Sequence, residues 1–233
     1  MSLVIPMVIL MQQHLAAEGS TLVAKKMQYD LNSRQPFYGV SPEKRHKIFQ
    51  LAIAHTSIDS IENYHRLLLW LWSGVYREER YLALDAGEYY SEYQTAASFN
   101  VYLEMLETAA NVDILDRLAT NLIGKVILQD KALECYLIQW RESDSTWLKR
   151  ASVLAHLHHK QQTNVVLLTE TILYLAADKS MLVQQAMGQV LNAYSQVDFA
   201  FVDNFIKDNM TLLTPLCRRE ARKLTMMVNS TVD

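Results

Sequence analysis

The sequence predicts an all-α fold, and three observations carry that prediction. Apolar residues recur at helical spacing along nearly the whole chain. No run alternates apolar and polar residues between turn signals, as a half-buried strand would. No proline stands between Pro42 and Pro215, so the body carries no hard helix breaker. With 6 Gly and 4 Pro among 233 residues, half of them hydrophobic, the chain can bury a sizeable core. It is expected to form a single α-α superhelical domain over 1–233, with 1–19 as an N-terminal packing helix.

Periodicity places helices at 3–17, 20–32, 42–56, 58–73, 77–94, 97–109, 113–123, 125–140, 145–159, 163–177, 179–195, 198–208 and 215–228. Short connections make neighbours antiparallel, and so many short helices suit stacked pairs better than a four-helix bundle. The apolar run Val4–Met11 is too short to cross a bilayer and has no basic segment before it, so it reads as a packing helix. In QPFYGVSPEKRHKIF, Gly39 allows a turn, Ser41 is an N-cap and Pro42 takes the first helical position. Phe37 and Tyr38 pack beside that start. Trp70 and Trp72 read as core, and the acids following Ser73-Gly74 read as outer surface around an inward Tyr81, Ala83 and Leu84. Thr214 and Pro215 start the last helix in the same way as Ser41 and Pro42.

Cys135 and Cys217 make neither a disulfide framework nor a ligand spacing, and read as buried thiols of an intracellular, cytoplasmic protein. The net charge of −3 does not by itself announce a nucleic-acid partner. Its distribution is uneven. Lys25, Lys26, Arg34, Lys44, Arg45 and Lys47 face only Asp30 and Glu43 between Thr21 and Gln50, and Arg218, Arg219, Arg222 and Lys223 face Glu220 near the end. Such stripes fit either a solvated surface or a polyanion-binding face.

Two stretches carry the candidate chemistry. NVDILDRLATNLIG has an apolar seam of Leu115, Leu118, Ala119 and Leu122 behind a polar stripe of Asp113, Asp116, Arg117 and Thr120. Asp113 can cap that helix and pair with Arg117, and Asp116 is either favoured there by the helix dipole or held near a cationic reaction centre. WLKRASVLAHLHHK spaces Lys149, Ser152, His156, His159 and Lys160 as a basic stripe with Arg150 at its margin, over a packing stripe of Trp147, Ala151 and Leu154. The histidines have no acid or cysteine at ligand spacing, so no metal or other cofactor is expected.

Taken in order, PFYGVSPEKRHKIF, REERYLALD, VDILDRLATNLIG, SDSTWLKRASVLAHLHHK, VQQAMGQVLNAYS and LTPLCRREARK resemble the DNA alkylation repair family of HEAT-like, AlkD-like glycosylases over residues 20–228. The resemblance implies a right-handed superhelix of antiparallel HEAT-like helical pairs with a basic cleft for double-stranded DNA, alkylated or branched, and no membrane. It implies excision of cationic N3- or N7-alkylated purines, in which a carboxylate stabilises an oxocarbenium-like sugar. The family's catalytic aspartate falls on Asp116, and its phosphate-holding arginine on Arg150 within W-L-x-R. Its C-terminal cations fall on Arg218 and Arg219. Lys44, Arg45, Lys149, His156 and Lys160 complete the expected DNA-binding set. Tyr29, Tyr38, Val112, Trp147 and Gln189 are the cleft candidates, and Val112 and Gln189 stand where the family carries tryptophans. A non-catalytic DNA binder and a protein-interaction scaffold of the same fold are the alternatives.

Overall fold

Serine and threonine caps start several helices where the sequence places them. The Ser41 hydroxyl accepts from the Lys44 N–H at 3.4 Å and the Thr214 hydroxyl from the Cys217 N–H at 3.2 Å, each with proline next in the chain. The structure, a computed structural model, describes residues 4–109 and 111–223. Every regular element among them is helical. The expected final helix runs from Pro215 to Ala221 with Arg222 as its C-cap; residues 224–228 of that expectation lie outside the described part. No described helix is long and apolar enough to cross a membrane.

The chain divides into two compact units, Met1–Ile114 and Leu115–Asp233. In the first, α1 (Val4–Glu18) lays Val4, Met7, Val8, Met11 and Leu15 against α3 (Pro42–His55) and α4 (Ile61–Trp72). That spacing of three and four is the core face of a helix. α4 in turn packs on α5 (Arg77–Tyr89) and α6 (Phe99–Glu107), where the Tyr64 and Tyr102 hydroxyls meet at 2.6 Å. α2 (Thr21–Asp30) buries no residue, and its Tyr29 is 85% exposed.

The start of α5 overturns one expectation. Glu78 and Glu79, expected on the outer surface, are buried, and Arg77 is buried beside them. The Glu78 carboxylate accepts the backbone N–H groups of Tyr38, Gly39 and Val40 at 3.0, 2.8 and 3.1 Å, so it satisfies a buried loop that has no ladder partner. Trp72 is core as expected, but Trp70 is 40% exposed. Gly39 has φ +83°, and a Cβ there would stand 2.1 Å from the Ser20 carbonyl oxygen. Gly39→Ala is therefore expected to cost at least about 1–3 kcal/mol, the scale of a strained left-handed residue. Urea unfolding with an unshifted midpoint would contradict this.

The expected break at Gly124, a residue of the second unit, does not occur. α7 (Val112–Arg117), a π-helical segment Leu118–Ile123 and α8 (Gly124–Gln129) follow one another without interruption. Gly124 serves close approach instead, since a Cβ there would lie 2.4 Å from the Ala155 carbonyl oxygen. Next come α9 (Glu134–Arg141), α10 (Thr146–Leu154), α11 (Val165–Tyr174), α12 (Met181–Ser195), α13 (Phe199–Asp208) and α14 (Pro215–Ala221). α10 packs on α9 and α12, and α12 packs on α14 through Gly188, whose Cβ would meet Glu220 Cβ at 2.4 Å. Cys217 is buried, but Cys135 is exposed, contrary to expectation.

Candidate functional site

Asp116 lies in the last turn of α7, immediately before the helix switches to π geometry. Single π turns concentrate at functional positions because they redirect side chains within an otherwise regular helix. Here the Thr120 hydroxyl donates to the Asp116 carbonyl oxygen at 2.8 Å and fastens the turn that carries the carboxylate. The seam behind it, Leu115, Leu118, Ala119 and Leu122, is fully buried as expected.

From α10, Arg150 meets that carboxylate at two points, Nε to Oδ1 and Nη2 to Oδ2, both at 2.6 Å. A third guanidinium nitrogen, Nη1, donates to the Leu182 carbonyl of α12. The planar fork is thus held on two sides. The Arg150 side chain is 1% exposed and the Asp116 side chain 28% exposed. The expectation that Arg150 holds a phosphate therefore meets a different geometry: its charge is enclosed and directed at Asp116. Asp116 presents the accessible side of the pair.

The basic stripe around Arg150 is also rearranged. α10 ends at Leu154, and the chain turns through 155–159 into a short 3-10 turn, Lys160–Gln162. Ser152, His156 and His159 are buried, not surface groups. Lys149 is half-buried and pairs with Asp178 at 2.9 Å, and Lys160 is exposed with φ +50°. His159 Nε2 lies 2.7 Å from the Gly124 carbonyl oxygen, while neither ring nitrogen of His156 has a hydrogen-bond partner among the described residues. Desolvation and the neighbouring His159 push the His156 pKa down to about 3, and burial lowers that of His159.

The other expected cations differ in reach. Lys44 is exposed and 2.7 Å from Glu18; Arg45 is mostly covered, 3.2 Å from Asp85 and 4.6 Å above the Tyr81 ring. Arg219 is 66% exposed and Arg218 half-buried. Of the cleft candidates, Tyr29 is exposed, Val112 is 36% exposed, and Trp147 and Gln189 are half-buried. Tyr38 stacks on Tyr76 with ring centroids 3.9 Å apart, and burial together with Glu79 pushes its hydroxyl up to about 12.

Asp113 does not cap its helix, which already begins at Val112. Its carboxylate takes the Tyr81 hydroxyl at 2.5 Å and an N–H of the buried Arg77. The REERY spacing, which places Arg77 and Tyr81 on one helix face, was the available sign of this second acid–base cluster. Among the described residues no group of three or more His, Cys, Asp or Glu could hold a metal ion.

Fold and site together define an all-helical protein that clamps one half-exposed carboxylate in a buried guanidinium fork. The DNA alkylation repair enzyme family matches residues 11–225, and the chain belongs to that family. Among solved structures, one described as a predicted DNA alkylation repair enzyme from Enterococcus faecalis is similar, with a TM-score of 0.79 and 19% identity over 88% of this chain and 96% of that one. At that identity the likeness establishes the shared fold. No curated protein matches significantly.

Proposed function

We propose that the protein acts on alkylated double-stranded DNA as a glycosylase for cationic N3- or N7-alkylated purines. The observation that carries this reading is Asp116: a carboxylate fixed at two points by Arg150, on a π-interrupted helix, with one side open. Loss of a cationic base needs little acid catalysis, because the base already leaves as a neutral molecule. The demand is for a negative group fixed beside the sugar as positive charge develops there, and a preorganised carboxylate meets it without reorganisation. Arg150 acts as a positioning residue. Phosphate contacts fall instead to exposed cations such as Lys44, Lys160 and Arg219, whose counterion release would make binding salt-sensitive.

A second reading, a non-catalytic binder of duplex or branched DNA, is favoured by one specific observation. Val112 and Gln189 stand where the resemblance places two cleft tryptophans, and each aromatic contact to a cationic base is worth about 0.5–2 kcal/mol. Release of free base from methylated duplex separates the two. Wild type is expected to release methylated purine, and Asp116→Asn to lose at least about a hundredfold in rate, the scale of one removed electrostatic group, with DNA binding retained. No release by wild type above the uncatalysed rate selects the binder.

A further inference from the structure

In the first unit, a cavity of about 250 Å³ lies between α2, the loop before α3, and α5. Met27, Leu31 and Phe37 give it apolar sides, and Arg45, Tyr81, Asp113 and Glu78, whose oxygens are taken by the 38–40 backbone, give it a polar end. The polar end is built rather than incidental. Tyr81 links its two charges, with the Arg45 guanidinium 4.6 Å over the ring and the Asp113 carboxylate 2.5 Å from the hydroxyl. Arg77, itself 1% exposed, donates through Nε to the Tyr81 oxygen at 2.8 Å and through Nη2 to Asp113, so both acceptors are oriented from behind. The Asp113 side chain stays 39% exposed on its other side.

This cavity asks for a flat ligand, because the Arg45–Tyr81 stack and Phe37 offer planar surfaces. A carboxylate that already receives two donors can still accept N–H groups on its open side. The arginine already holds Asp85 through Nε at 3.2 Å, so its terminal N–H groups are what it can turn to carbonyl or ring-nitrogen acceptors, and it disfavours a cation. A heterocycle with adjacent N–H donors on one edge and a carbonyl beside a ring nitrogen on another satisfies both groups. Among the common bases guanine alone has that pattern: an N–H edge suited to a carboxylate, and O6 and N7 suited to arginine. We propose that the cavity is a binding site for a neutral guanine base, with Asp113 on its N–H edge and Arg45 on its O6/N7 edge. The site goes beyond the glycosylase reading, since it concerns an unmodified base and residues remote in role from Asp116.

The test is titration of the full chain with guanosine and adenosine 5′-monophosphates, followed by NMR of the Met27 and Leu31 methyl groups. Guanosine monophosphate is expected to shift both signals and to bind at least tenfold more tightly than the adenosine compound. Leu31→Trp, at a position 42% exposed and so tolerant of bulk, is expected to abolish the Met27 shift and the nucleotide binding by filling the cavity. Asp113→Asn is expected to erase the preference for guanine. A duplex with one unpaired guanine that competes with the nucleotide identifies a base within DNA as the occupant; nucleotide binding without competition identifies the free nucleotide. Equal binding of the two nucleotides, absence of shifts at millimolar nucleotide, or unchanged binding in Leu31→Trp overturns the proposal. None of these readings uses methylated DNA, so the result stands whatever becomes of the base-release assay.

Discussion

Asp116→Ala is expected to lower the unfolding free energy by about 3–5 kcal/mol, the cost of leaving one member of a buried ion pair without its partner. The size follows from asymmetric burial. The Arg150 side chain is 1% exposed and its two 2.6 Å bonds both end on Asp116. Without the carboxylate, its remaining acceptor among the described residues is the Leu182 carbonyl. Arg150→Met should cost less, because Asp116 is 28% exposed and its freed oxygens can hydrate. The double substitution should recover part of the loss, since no enclosed charge remains. Urea unfolding of the three variants measures this. If Asp116→Ala and Arg150→Met cost the same and add without coupling, the pair is not the enclosed clamp described here. Asp116→Asn suits the activity assay because its amide oxygen preserves one acceptor for Arg150.

That pairing also shows where sequence reasoning stops. Helix starts were legible because a cap is local: Ser41 and Thr214 bind the N–H three residues on, and proline follows each. The buried seam of Leu115, Leu118, Ala119 and Leu122 was legible because helical period alone fixes it. A charge does not reveal its partner 34 residues away: the resemblance put Asp116 and Arg150 in one site, but not the direct pair that encloses Arg150. The histidine spacing of three read as one side of a helix, and period cannot say which side of a helix would face inward. α10 also ends before His156, for no reason a propensity scale supplies. Gly124 read as a break because glycine is a poor helix former. Its use is the close approach to the Ala155 carbonyl, a tertiary fact. Glu78 and Glu79 read as surface because acids usually are, and here three unpaired loop N–H groups draw Glu78 inside.

The buried histidines make stability depend steeply on acid. His156 is 2% exposed, its ring centroid is 5.3 Å from that of His159, and Lys131 adds like charge nearby, with Glu134 and His158 beside His159. In the folded chain its pKa is pushed down from 6.5 to about 3, so the imidazole stays neutral where the unfolded chain takes up a proton. The unfolded state binds more protons throughout that interval, and stability must therefore fall as pH drops below about 6.5 and keep falling until about 3. Each proton contributes about 1.4 kcal/mol per pH unit, or about 2 kcal/mol from His156 alone between pH 6.5 and 5. Above the ordinary histidine pKa both states are neutral and the contribution is constant. His156→Leu removes the group while retaining an apolar side chain of similar bulk. Urea midpoints at pH 7.5 and 5.0 should therefore converge in the variant by about 2 kcal/mol relative to wild type. Parallel acid losses in wild type and variant would mean that His156 takes up its proton in the folded chain, and that the 155–159 turn opens to water without unfolding.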